Sequence, residues 1–294
     1  MAEYSYETVD VFTDQRFGGN PLAVFHDARG ISDRDMQRLA AELNLSETTF
    51  VLPPADSSNT ARIRIFNRSH EMPFAGHPMV GTAFVVARGM NEAGDSLRFE
   101  VPAGLVTVRL TRRDRDVEGA VIEAPQPLTL GVTVSAEEIA ESVGIAPAEI
   151  VVSNHVPTLA SVGNTYVIAE VTEAGLDRAL PNLALFRRIL ESHAGLNGRF
   201  SLYLYSRREN VLQARMFAPI VGTWEDPATG SAATPLAALL LSLSDRERDR
   251  YEIHQGVKMG RPSLLMAEAW RASDGTRASV GGSCVPVLKG EATL

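Results

Sequence analysis

The chain has 294 residues, 45% hydrophobic and 22% charged, with a formal net charge of −8 and a pI near 5.3. Such a chain has core enough for two domains or one large duplicated one, and its acidity argues against nucleic acid as a partner. The start "MAEYSYETVD" shows no secretory leader, the apolar run at 232–243 is too short and broken to span a bilayer, and the single Cys284 excludes an intrachain disulfide and a cysteine-rich metal cage, so a reducing cytoplasm without a membrane partner is expected.

In chain order, "VDVF" and "NPLAVF" read as short strands separated by the turn-rich "TDQRFGGN". "ISDRDMQRLAAELNL" reads as an amphipathic helix, with Ser32 as its cap and Asn44 as a left-handed stop. Its apolar positions, Met36, Leu39, Ala40 and Leu43, recur at three- and four-residue spacing. "ETTFVLPP" and "RIRIF" are strands, and "HPMVGTAFVVARG" is a helix with Pro78 expected at its first position. "SLRFEVPAGLVTVRLT" and "GAVIEAPQP" add strands, and "APQPLTLG" breaks the pattern, which places a domain boundary between halves 1–126 and 127–294. The last strand is expected to pack back on the N-terminal half.

The second half repeats the order of signals. After a helix with a capping box of Ser135 and Glu138, "GNTYVIAEV" echoes "GNPLAVF", and the strand "RFSLYLYS" answers "ETTFVL". "QARMFAP" answers "RIRIFNR", each with an Arg–apolar–Phe step. "DPATGSAATPLAAL" answers "MPFAGHPMVGTAFV", and aligning Pro73 with Pro227 sets Gly76 on Gly230 and His77 on Ser231. One indel between the Phe66–Phe217 and Pro73–Pro227 matches is needed, which a loop absorbs. The chain therefore reads as an internal duplication.

The two matched helix starts carry the candidate chemistry. A helix N-terminus offers unpaired N–H groups and partial positive charge, and glycine lets a ligand approach that backbone. Two such starts facing one another would suit a carboxylate, with His77 as a proton carrier at one and Asp226 and Ser231 at the other. Singly, each is also read as a turn or a cap. Glu47, at a helix-to-strand junction in "NLSETTF", is either an exposed surface glutamate or, if partly buried, a general acid or base. The chain lacks the nucleophile elbow, the phosphate-binding loop and the dinucleotide fingerprint, and its scattered histidines give no zinc spacing. Cys284 reads as a small buried apolar residue.

Taken together, "GGNPLAVF", "NLSETTFV", "EMPFAGHPMVGTA", "EDPATGSAA" and "QGVKMGRPS" resemble the phenazine-biosynthesis PhzF family, in family order from residue 18 to residue 263. The resemblance implies an α+β, diaminopimelate-epimerase-like fold. It has two pseudo-symmetric α/β halves, each a curled, mostly antiparallel sheet around a central helix, with the active site between them. It implies a cofactor-independent isomerase acting on a small carboxylate-bearing substrate, as in the isomerisation of trans-2,3-dihydro-3-hydroxyanthranilate. Glu47 matches the family's general acid/base, and His77 and Asp226 match its assisting polar residues. Gly76, Gly230 and Ser231 match positions that bind the substrate carboxylate, with Ser46 beside the glutamate. No metal is implied, and a homodimer is.

The superfamily's epimerases use two opposed cysteines, but "AGHP" and "ATGSA" carry none, which excludes a two-thiol racemase. Two rival functions stand beside the isomerase: a racemase or epimerase of an amino or hydroxy acid with Glu47 and His77 as opposed bases, and a non-catalytic protein that binds a ligand or partner. "NRSH" (67–70) and Trp224 depart from the family pattern and are expected to reshape the pocket.

Overall fold

The computed structural model describes residues 2–294. The chain divides into two compact units, one holding the residues up to Glu123 together with Gly281–Leu294, the other Ala124–Val280. The break lies at 123/124, against the expected 126/127.

In the first unit, β1 (Glu3–Val11) pairs antiparallel with β2 (Asn20–Phe25) and, on its other side, with the C-terminal segment, from Glu3–Thr293 to Val11–Cys284. Helix α1 (Asp33–Leu43) starts where the Ser32 side chain accepts from the Asp35 amide and stops at Asn44, φ 53°. Its apolar stripe buries Met36 and Ala40 against Phe25, Phe50 and Phe66. Because α1 provides the crossover, β3 (Glu47–Leu52) runs parallel to β2, with Leu22 opposite Glu47. Strand β4 (Ala61–Phe66) is antiparallel to β3, and the short β5 (Glu71–Met72) folds back on its end.

Helix α2 (Gly76–Gly89) follows, buried on nearly every side. A Cβ at Gly81 would stand 2.6 Å from the Leu22 side chain and 2.7 Å from that of Val11, so the helix lies tight against β1 and β2. The helix opens at Gly76, so Pro78 is its third residue rather than its first. It still falls in the first turn, where a missing N–H costs no bond. Strands β6 (Ser96–Val101), β7 (Gly104–Arg113) and β8 (Asp116–Glu123) complete the unit, with β6 parallel to β4.

The second unit opens with β9 (Thr129–Thr133), so part of the supposed interdomain loop is strand, paired with residues of β10 (Thr158–Ser161). Helix α3 (Ala136–Ser142) carries the capping box of Ser135 and Glu138. Then come β10 (Thr158–Ser161), β11 (Thr165–Glu170), α4 (Glu173–Arg178), α5 (Leu183–Ser192) and β12 (Leu202–Arg208). Strand β12 runs parallel to β11, as β3 does to β2. Strand β13 (Val211–Ala218) is antiparallel to β12, and β14 (Thr223–Asp226) folds back on it, as β5 does on β4.

Helix α6 (Gly230–Ser242) is likewise buried almost all round. It runs through Pro235 without breaking: the proline sits in the second turn and only withholds the N–H that the Ser231 carbonyl would accept. Strands β15 (Arg248–Gln255) and β16 (Ser263–Ala272) follow, with β15 parallel to β13, as β6 is to β4. The long β17 (Gly275–Thr293) runs from the second unit into the first. Each unit thus repeats one pattern of strands and one central helix, an α+β fold dominated by strands.

Candidate active site

Both central helices start from the same local device. In the first unit, Arg64 on β4 grips Glu71 on β5 with two hydrogen bonds, Nε–Oε1 and Nη2–Oε2, each 2.7 Å. In the second, Arg215 on β13 grips Glu225 on β14 with two bonds of 2.8 Å and also donates to the Leu176 and Ala179 carbonyls. The duplicated Arg–apolar–Phe step explains itself here: Arg64 lies over the Phe66 ring at 5.1 Å and Arg215 over Phe217 at 4.9 Å. Bidentate pairing fixes the glutamate, and with it the turn of chain leading into the helix. Glu71 precedes "MPFAG" and Glu225 precedes "DPATG". Neither helix is capped by the side chain of its first flanking residue, Ala75 or Thr229, and neither has an acidic residue in its first turn. An anion at either start would meet backbone N–H groups and the positive end of the helix.

In the first unit, Glu47 is the first residue of β3 and His77 the second of α2. The His77 Nε2 lies 3.1 Å from the Glu47 Oε2, with side chains 9% and 16% exposed. The contact is close but is not aligned as a hydrogen bond. Burial pushes the His77 imidazole down from its ordinary 6.5 to about 3, so the ring is neutral near pH 7. A neutral ring beside a carboxyl can hydrogen-bond to it, or pass a proton along by taking one at one nitrogen as it gives one from the other, without adding a second charge. Strand and helix are tied one layer deeper by the buried hydroxyls of Thr49 and Thr82, 2.8 Å apart. Ser46 is half-buried in the bend before β3, and Gly76 precedes His77 at the helix start.

At 3.1 Å there is no room for a substrate carbon between Glu47 and His77. Two bases attacking opposite faces of one carbon would stand roughly 6–7 Å apart, reacting distance on each side. The opposed-base arrangement for these two residues is therefore corrected: they sit on the same side, as neighbours.

In the second unit, Asp226 ends β14, and its Oδ2 accepts from the Thr229 hydroxyl at 2.5 Å. Ser231, second residue of α6, has its Oγ 2.7 Å from the Tyr166 hydroxyl on β11. The structure brings Tyr166, Thr229 and Gln255 into contact with the expected residues, and none of the three was singled out from sequence. Thr229 sits inside the quoted "EDPATGSAA" and Gln255 opens "QGVKMGRPS", so the signal was present without a stated role. Tyr166 has no local signal, since it lies 65 residues from Ser231.

Among the described residues no group of three or more His, Cys, Asp or Glu side chains converges as a metal site. Cys284 is buried in β17, and burial pushes its thiol well above the ordinary range, as suits an inert packing residue. No helix among the described residues is long and apolar enough to cross a membrane.

Comparison with known proteins matches residues 9–290 to the family described as phenazine biosynthesis-like protein. The chain is 38% identical to an uncharacterised isomerase of Mesorhizobium japonicum, covering 99% of both chains. It is 36% identical to the trans-2,3-dihydro-3-hydroxyanthranilate isomerase of Pseudomonas chlororaphis, over 99% of this chain and 100% of that one. Its fold matches the crystal structure of a PhzF-family phenazine biosynthesis protein of Bacillus anthracis with a TM-score of 0.89 at 25% identity, covering both chains completely.

Proposed function

From the membership of this chain in the PhzF family of phenazine biosynthesis-like proteins, and its standing there as an isomerase, we propose that it moves a proton between carbons of a small, carboxylate-bearing substrate, with Glu47 as the general acid/base. The Glu47–His77 contact carries the reading: a carboxyl group, mostly buried, with a neutral imidazole 3.1 Å away. Glu47 would take a proton from one carbon and return it to another, a contribution of typically 10²–10⁴ in rate. His77, beside it, would help steady the charge that develops and relay protons. Asp226 would steady the charge that develops, and the amides at Gly76, Gly230 and Ser231, with Ser46, would hold the substrate. The Pseudomonas relatives are named for trans-2,3-dihydro-3-hydroxyanthranilate, which makes cyclic carboxylates of that class the first substrates to try.

The test is proton exchange in D2O, followed by NMR and mass spectrometry, on dihydro-hydroxyanthranilate and a panel of cyclic, amino and hydroxy acids. Deuterium should appear at carbon in one compound and fall about 10³-fold in Glu47→Gln, whose fold is unchanged. Full exchange in that variant would remove Glu47 from the mechanism. The resemblance also supports a homodimer, which sedimentation of the purified protein tests, and the single cysteine supports a reducing cytoplasm.

A further inference from the structure

The "QGVKMGRPS" segment belongs to no step above, yet it converges on Asp226. Gln255 is fully buried at the end of β15. Its Nε2 donates to the Asp226 carbonyl at 2.8 Å and to the Thr229 hydroxyl at 2.9 Å. Its Oε1 accepts from the Thr229 amide at 3.2 Å and from the Tyr203 hydroxyl at 3.0 Å. All four hydrogen-bonding positions of the amide are therefore filled. The Thr229 hydroxyl accepts from Gln255 and so is left to point its single proton at the Asp226 carboxylate. The rest of the segment closes the same loop. The Ser263 hydroxyl donates to the Pro227 carbonyl at 2.8 Å, and Gly256, at φ +73°, lies so close to Pro227 that a Cβ would stand 2.5 Å from its carbonyl oxygen.

The first unit shows that the fold does not require this clamp. In strand register Ile65 faces Met72 as Met216 faces Asp226. Setting Arg64 on Arg215 carries the parallel partners Arg62–Glu100 onto Gln213–His254, and so Val101 onto Gln255. Asp226, Thr229 and Gln255 thus stand where the first unit has Met72, Ala75 and Val101, all apolar. The same turn into a buried central helix is made there with the Arg–Glu pair alone, and no polar side chain stands at these three positions. A buried amide with four partners, present in one repeat only, is not a requirement of the repeated fold.

We infer that Gln255 is a positioning residue for the reaction: through Thr229 it fixes where the Asp226 carboxylate points. The inference rests on the role given to Asp226 above. Gln255→Val, Thr229→Val and the double variant are compared in the exchange assay, with Asp226→Asn as control and thermal unfolding recorded for each. Valine is what the first unit carries at the matched strand position, and Thr229→Val carries the test if Gln255→Val does not fold.

Each single variant should lower kcat about 10- to 100-fold with KM within about threefold, the cost of a carboxylate displaced by roughly 1 Å. The double variant should be no slower than the slower single, because both remove one device. Losses that multiply, a rise in KM alone, or an unchanged kcat would overturn the inference. If Asp226→Asn itself reacts at the wild-type rate, the role of Asp226 fails too; if only that control is slow, the role stands and the clamp does not.

Discussion

Acid should destabilise the wild-type protein more steeply than a His77→Gln variant. The side chain of His77 is 9% exposed, and its burial pushes the imidazole from 6.5 to about 3. The unfolded chain therefore takes up a proton on this ring near pH 6.5, while the folded protein resists until about pH 3. Across that window the unfolded state binds more protons, so stability rises with pH and is lost as pH falls. Each unit of pH is worth at most about 1.4 kcal/mol. Between pH 6 and pH 4 the wild type should thus lose roughly 2–3 kcal/mol more than the variant.

One effect opposes this. A negative charge on Glu47, 3.1 Å away, would favour the imidazolium and reverse the slope. Burial wins because a charged pair would require both ions to be desolvated, and a contact not aligned as a hydrogen bond recovers too little of that cost. Urea unfolding at pH 7, 6, 5 and 4, followed by circular dichroism for both proteins, decides the matter. Parallel curves would show that burial does not shift the imidazole, and a wild type that gains on the variant as pH falls would show that the pair is ionic; either result removes the neutral partner assigned here.

Three further outcomes follow from the same geometry. Replacing Glu225 by Ala leaves the buried Arg215 guanidinium short of its charge partner and should cost about 3–5 kcal/mol, whereas Glu71→Ala, in the more exposed first-unit pair, should cost clearly less; chemical denaturation that ranks them the other way would undo the argument from burial. A Cβ at Gly119 would stand 2.0 Å from the Gly282 carbonyl oxygen, so Gly119→Ala should prevent folding or cost at least about 3 kcal/mol, while Gly81→Ala, which meets movable side chains, should cost about 1–3 kcal/mol, both read from thermal unfolding. Tyr166→Phe removes the hydroxyl 2.7 Å from Ser231 and should raise KM about 5- to 20-fold with kcat nearly unchanged if Ser231 holds the substrate; a fall in kcat at constant KM would assign the pair to the chemistry instead.

Much of the fold was legible in the residues. Ser32, Asn44, Ser135 and Glu138 mark helix ends because capping is a contact between residues at most four apart. The duplication was legible because the Arg–apolar–Phe step and the glycine at each helix start recur in order. Pro78 and Pro235 were less so. A proline biases the local chain, but the turn that begins α2 at Gly76 and the packing that carries α6 through Pro235 are imposed from outside the local stretch.

The sequence by itself thus determined the family, the α+β class, the two helix starts and the residue types standing at them, since each is written in short, local patterns. Only the tertiary structure decided which of those residues touch. The Glu47–His77 contact spans 30 positions, Tyr166–Ser231 spans 65 and Gln255–Asp226 spans 29, all set by strand register and helix packing that no local spacing encodes. The same holds for the charge on His77: a histidine is titratable by composition, but it is the burial of this one at the head of α2 that keeps it neutral.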